Sequence, residues 1–180
     1  MIRLVTSISL FIALAGPPLA VQAAEQKNLA AVIAWSGGGR VFQIAPGSME
    51  FLGAFEGIMY METSEGEIDE AFIECSFKQT LHSDAKNTRG TGNCMIVQSP
   101  DDAVFAEFEC DGRVGSCKGE FRLTEGTGIF KGIRGSSRLI IRSPLGHMVQ
   151  GLSNGSEVGV SSAVAILPDL SYTIPAGGKR

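Results

Sequence analysis

The sequence predicts an all-β fold, an antiparallel sandwich or barrel, on three observations: a hydropathy period of two, frequent turn chemistry, and abundant glycine. Glycine supplies 23 of the 180 residues, roughly 13% against a usual ~7%. Each interior glycine costs a helix roughly 1 kcal/mol relative to alanine, so a helical bundle or coiled coil is excluded. A hydrophobic share of 44% with a net charge of only −4 supports a core and excludes a disordered chain. A pI near 5.2 argues against nucleic acid as a partner.

The chain opens with Met1-Ile2-Arg3, an apolar stretch from Leu4 to Leu14, a break at Pro17-Pro18 and the small-residue sequence Val21-Gln22-Ala23. This is the pattern of a secretory signal peptide cut after Ala23. The apolar run is about half the ~20 residues a membrane span needs. The expected organisation is therefore a signal peptide over residues 1–23 and a single domain over residues 24–180. That domain is expected in the periplasm or outside the cell, without stable membrane insertion once the signal is removed.

The strands follow in order. Phe51, Gly53, Phe55, Gly57, Met59 and Met61 alternate with Leu52, Ala54, Glu56, Ile58, Tyr60 and Glu62. Ile73, Cys75 and Phe77 alternate with Phe72, Glu74, Ser76 and Lys78. Val104, Ala106, Phe108 and Cys110 alternate with Phe105, Glu107 and Glu109, and Phe121 and Leu123 with Glu120 and Arg122. One face of each strand is apolar and the other wet. Ser64-Glu65-Gly66, Ser83-Asp84, Ser99-Pro100-Asp101-Asp102, Asp111-Gly112 and Asn154-Gly155-Ser156 separate the strands with turn residues. The last of these is also a glycosylation sequon at Asn154, relevant only in a eukaryotic source.

The four cysteines refine this reading. Residues facing each other in a hairpin have a constant sum of sequence numbers. Cys75 and Cys94 centre on Asp84-Ala85, Cys94 and Cys110 on Asp102, and Cys110 and Cys117 on Arg113-Val114, each at or beside an expected turn. The cysteines are then expected in one row across four strands, on the apolar face. Adjacency permits Cys75–Cys94 with Cys110–Cys117, or Cys94–Cys110 with the other two apart. The first pairing leaves no orphan and is the one expected in an oxidising compartment; four free thiols are the alternative.

Charge is unevenly distributed. Between Val41 and Phe77 stand Glu50, Glu56, Glu62, Glu65, Glu67, Asp69, Glu70 and Glu74 without a single base. Between Arg113 and Arg142 seven bases face only Glu120 and Glu125. Such a surface is either dipolar, and steers a partner, or simply two solvated faces.

The segment from Gly126 to Gly135 invites comparison with phosphate-binding loops. It fits neither template: the dinucleotide pattern needs glycine at Lys131, and the P-loop needs Gly-Lys-Ser/Thr opening a helix. It reads instead as a tight corner that tucks Phe130 and Ile133 into the core. The run Gly119-x-Phe121-x-Leu123-Thr124-x-Gly126-Thr127-Gly128-x-Phe130-x-Gly132-Ile133-x-Gly135 resembles the signature of bacterial secreted proteins of the allene oxide cyclase and dirigent barrel-like superfamily. Cys75, Gly92-Asn93-Cys94 and the Asp101-Asp102 turn add to the likeness, which spans Asp69 to Arg142. The resemblance implies a single antiparallel β-barrel of about eight strands with a central cavity. Members of that superfamily include plant cyclases and coupling-guiding proteins and bacterial cyclases of natural-product pathways, alongside many uncharacterised exported proteins.

No catalytic constellation accompanies it. His82 and His147 are the only histidines, too few for a zinc site without further ligands. No Gly-x-Ser-x-Gly elbow occurs, and Glu50, Glu56, Glu62, Glu74, Glu107, Glu109 and Glu120 alternate to the outside. No cofactor and no metal are implied. The inward set is Phe51, Phe55, Met59, Ile73, Phe77, Ile96, Phe108, Phe121 and Leu123, with Gln79 and Gln98 as polar members. Three functions fit: an exported barrel that binds an apolar small molecule or a surface partner, a cyclase-like enzyme shaping a hydrophobic substrate, or a structural envelope or matrix protein. An eight-stranded lumen is just wide enough to be filled by side chains or to hold one small ligand.

Overall fold

A computed structural model describes residues 25–63, 66–82, 87–144 and 154–175. Residues 1–23, expected to be a signal peptide, Ser83-Asp84 and His147 lie outside the described residues. Eight strands run β1 Glu25–Ala45, β2 Ser48–Glu62, β3 Ile68–His82, β4 Thr88–Ser99, β5 Asp102–Arg113, β6 Ser116–Gly126, β7 Arg134–Arg142 and β8 Glu157–Ile174. Each pairs with the next, antiparallel, and β8 closes on β1. The described residues therefore form a closed antiparallel barrel of eight strands. Closure leaves no strand edge exposed.

The period of two works as expected where the faces differ. On β3, Ala71, Ile73, Cys75, Gln79 and Leu81 are buried while Phe72, Glu74, Ser76 and Lys78 face out. Inward glycines make room for the rings: a Cβ on Gly39 would lie 2.7 Å from Phe51 Cζ, and one on Gly90 would lie 2.9 Å from Phe77 Cε2. Much of the glycine excess is thus lumen space on one strand that an aromatic ring from a neighbour occupies.

Both expected disulfides are present, Cys75–Cys94 and Cys110–Cys117. The single row of cysteines is corrected. Cys75 faces Cys94 directly, but Cys94 faces Ala106 and Cys110 faces Gly119. The cause is turn length: tight turns at Pro100-Asp101 and Val114-Gly115 shift both hairpin centres from their expected positions, so Cys110–Cys117 closes diagonally. The same turn corrects Gln98. A register shift between Val97 and Ser99 swings its side chain to solvent, and only Gln79 is a polar lumen residue of that pair.

The connections β2–β3, β4–β5 and β6–β7 lie at one end of the barrel, hereafter the closed end. The Gly126–Gly135 corner closes it, with one short 3-10 turn at Gly128–Phe130. Ile133 is buried and Phe130 packs against the core. Gly128 (φ +54°) and Gly132 (φ +79°) adopt the left-handed conformation that β-branched residues resist. Asp102 clamps the corner to the β4–β5 turn: its Oδ1 accepts from Ile129 N at 3.0 Å, and its Oδ2 accepts from Ser99 Oγ at 2.7 Å. Thr127 adds a second tie, donating to Asp101 O and accepting from Ala103 N, both at 2.9 Å.

Candidate functional site: lumen and outer face

The nine inward residues expected from sequence all line the lumen and divide by height. Met59, Ile73, Ile96 and Leu123, all buried, form an aliphatic layer toward the closed end. Above them the rings pack together. Phe55 meets Phe77 edge-on at 5.4 Å, Phe77 stacks on Phe108 at 5.8 Å, and Phe51 lies 6.0 Å from Phe77. Phe121 is 1% exposed.

Sequence reasoning did not single out Trp35, which stacks on Phe55 at 5.4 Å and completes the cluster. The segment Leu29-Ala30-Ala31-Val32-Ile33-Ala34-Trp35 is apolar at every position, so no alternation marks which side chains point inward. Ala31, Ile33 and Trp35 are the buried ones. A continuous apolar run is itself a signal, because it is what a strand covered on both faces looks like.

A cavity of about 30 Å³ lies at the open end, between Trp35, Phe55, Phe77, Gln79, Cys117, Ile141 and Ala163. That is room for about one water. Gln79 Nε2 donates to Thr88 Oγ1 at 3.0 Å in this buried zone, whereas Trp35 Nε1 and Ser161 Oγ have no hydrogen-bond partner. Among the described residues the one buried titratable group is Asp102, which is engaged at the corner. His82 is exposed.

The outer face has two contrasting halves. On β4 to β8, acids and bases neutralise one another. Arg122 reaches Glu107 at 3.1 Å and Glu120 at 3.0 Å, Arg89 reaches Glu109 at 2.9 Å, and Arg138 reaches Asp169 at 2.7 Å. The hydrogen bond to Glu107, then the charge of Glu120, raises the Arg122 pKa. Asp169 follows Pro168, where the β7–β8 ladder is interrupted between Ser136 and Ile140. Its Oδ1 accepts from Arg138 N and from Ser137 Oγ, both at 3.0 Å, in place of backbone bonds. Hydrogen bonds from the Arg138 side chain and then its backbone N–H hold the Asp169 pKa below the ordinary carboxylate value.

On β8, β1, β2 and β3 the outward residues are apolar near mid-strand. Ile166 faces Val32, which faces Tyr60; Ala34 faces Ile58, which faces Phe72. Val32, Tyr60, Phe72 and Ile166 are each about two-fifths exposed. Glu62 and Glu70 border this stripe toward the closed end, Glu56 and Glu74 toward the open end. Among the described residues none of these four carboxylates makes an ion pair, and Glu56 stands directly opposite Glu74. In the basic segment Arg122, Arg134 and Arg138 are ion-paired, with Glu107, Glu120, Glu125 and Asp169. In the acidic segment of β2 and β3 Glu50 is paired with Lys78 at 2.9 Å, and Glu56, Glu62, Glu70 and Glu74 are the acids left without such a partner among the described residues.

No protein-family model, curated protein or solved structure matches the chain.

Proposed function

We propose that this protein is an exported, non-catalytic barrel that works by binding a partner on its outer surface rather than by enclosing a small molecule. One observation carries the reading: the rings of Trp35, Phe51, Phe55, Phe77 and Phe108 pack against one another in the lumen, and the cavity beside them holds about 30 Å³. A fatty acid or a cyclase substrate has many times that volume, so either would require the ring cluster to part. Export is supported by the pattern of residues 1–23 and by two disulfides, which persist in oxidising compartments. The outward apolar stripe is two residue rows high, roughly 7 Å along the strand, whereas a barrel that spans a bilayer carries an apolar band about 25 Å tall. Membership of the allene oxide cyclase and dirigent barrel-like superfamily belongs to the same proposal. The closed eight-stranded barrel and the Gly126–Gly135 corner support it.

Trp35, the chain's single tryptophan, reports on the lumen. The test is titration of the purified protein with the uncharged probe N-phenyl-1-naphthylamine and with palmitic acid, following Trp35 emission. The expected result is no saturable binding and an unchanged, blue-shifted emission. Saturable binding that shifts Trp35 emission would overturn the reading.

A further inference from the structure

We infer that the stripe across β8, β1, β2 and β3 is a docking surface for a cationic amphipathic segment of a partner protein, one with an apolar row bordered on both sides by Lys or Arg. The inference rests on the outer-surface reading above and deepens it.

The first ground is apolarity on both faces of adjacent strands. Residues 29–35 of β1, 163–167 of β8 and 58–61 of β2 are apolar at every position. Their inner residues fill the lumen, so the outer ones need a second cover. The register makes them neighbours, in the rows Ile166–Val32–Tyr60 and Ala34–Ile58–Phe72. A contiguous apolar patch rimmed by polar residues is the usual mark of an interaction site.

The second ground is charge. Glu62 and Glu70 lie along one border, Glu56 and Glu74 along the other, all exposed and none ion-paired among the described residues. Like charges directly opposite on neighbouring strands destabilise a sheet, so the Glu56/Glu74 pair is a local cost to the free protein. A cation placed between them removes it. On the opposite half a pair of the same kind, Glu109 across from Glu120, is relieved by Arg89 and Arg122, whereas among the described residues no cation bonds Glu56 or Glu74.

The acidic borders also choose among occupants. Two copies meeting stripe to stripe would bring eight carboxylates together. An anionic membrane surface would be repelled by the same groups. Strand addition is closed off because the barrel has no free edge. What remains is a segment recognised by side chains, with apolar residues along its axis and bases at its flanks; the charges speed encounter and set register while the apolar row holds it.

The probe is a synthetic amphipathic helix of Leu and Lys, titrated into the full chain by fluorescence anisotropy at about 50 mM and about 500 mM salt, where screening differs several-fold. Saturable binding is expected at low salt, weaker at high salt. The paired variant Glu56→Gln/Glu74→Gln and the single variant Phe72→Ser should each weaken it at least about tenfold, as loss of rim charge or of an apolar anchor does. Glu109→Gln, on the ion-paired half, should leave it unchanged. All these residues face outward, so thermal melts of the variants should match the parent closely enough to keep the comparison valid. Affinity indifferent to Phe72→Ser and to the paired variant would overturn the assignment. So would sedimentation of the unaltered chain as a dimer that Phe72→Ser dissociates, or binding to phosphatidylcholine/phosphatidylglycerol vesicles. If the peptide fails to bind while N-phenyl-1-naphthylamine is still excluded from the lumen, this inference falls and the outer-surface reading stands. Probe entry into the lumen sinks the reading itself.

Discussion

The β2–β3 half of the outer surface and the β5–β7 half are built from strands of similar length on one barrel, yet they handle charge in opposite ways. On β5–β7 Glu107 sits across from Arg122, and the one like-charge pair, Glu109 across from Glu120, is relieved by Arg89 on the first and Arg122 on the second. On β2–β3, Glu56 sits across from Glu74 and the apolar residues between the acids are left open. Folding a barrel does not require such acids to stay without a cation, since Glu109 and Glu120 on the other half, also opposed, each bond an arginine. The contrast teaches that the outward pattern of β2–β3 answers to something other than the stability of the isolated chain.

The interior beneath the two halves should behave alike, and the largest expected effects test that. Phe55→Ala, under the apolar half, and Phe121→Ala, under the ion-paired half, should each cost about 3–5 kcal/mol, the usual range for emptying a buried ring site. Urea denaturation measures both. A markedly cheaper Phe55→Ala would mean that the lumen under the stripe is loosely packed, and would weaken the account of a filled barrel.

Disulfide removal comes next. Cys75–Cys94 joins residues 19 apart and Cys110–Cys117 residues 7 apart. Chain-entropy reasoning assigns about 3 kcal/mol to the longer loop and about 2.5 kcal/mol to the shorter. Paired Cys→Ser variants, compared by thermal melting, should both be destabilised, with Cys75→Ser/Cys94→Ser the worse. Reversal of that order would place the more constrained unfolded segment in the β5–β6 hairpin.

Charge reversal gives a smaller effect of opposite sign on the two halves. Glu74→Lys replaces a like-charge pair by an attractive one and should stabilise by a few tenths to about 1 kcal/mol. Glu107→Lys sets a cation against Arg122 and should destabilise by about 0.5–1 kcal/mol. Denaturant midpoints at low salt check both, and added salt should shrink both. Equal signs would erase the contrast between the halves.

The smallest effect concerns Asp169. Its folded pKa is depressed, so the unfolded chain binds the proton more readily and the carboxylate's contribution is fully present above the unfolded value. It is lost as pH falls from the ordinary 3.8 through the folded value. Asp169→Asn should therefore flatten the acid limb of the stability–pH curve and leave its shape above pH ~5 unchanged, where both folded and unfolded carboxylates are ionised. A full acid limb in Asp169→Asn would show that other carboxylates carry it.

The sequence was legible wherever the two faces of a strand differ in polarity. The alternation of β3 and β5 identifies Ile73, Phe77 and Phe108 as inward, and a hairpin centred midway between Cys75 and Cys94 sets the two opposite each other. It was illegible where both faces are apolar, as in β1, so neither Trp35 nor the outward role of Val32 could be read from hydropathy. The register of β4–β5 was missed by four residues because a two-residue turn and a bulge at Val97–Ser99 are decided by local backbone geometry, to which a sum of residue numbers is blind.

By itself the sequence determined the class of fold, the nine inward apolar residues of β2 to β6 and the direct Cys75–Cys94 facing, because each follows from periodicity and adjacency along one chain. Two things only the tertiary structure decided. Whether the lumen is open depends on closure, which lowers the rings of β2, β3 and β5 into the space left by glycines on other strands, such as Gly39 and Gly90. Which outward residues make a surface depends on register, which sets Ile166 of β8 beside Val32 of β1 and Tyr60 of β2, with Phe72 of β3 in the next row, although β8 lies at the other end of the chain from β1 to β3. Both are properties of distances between segments, and no segment carries them alone.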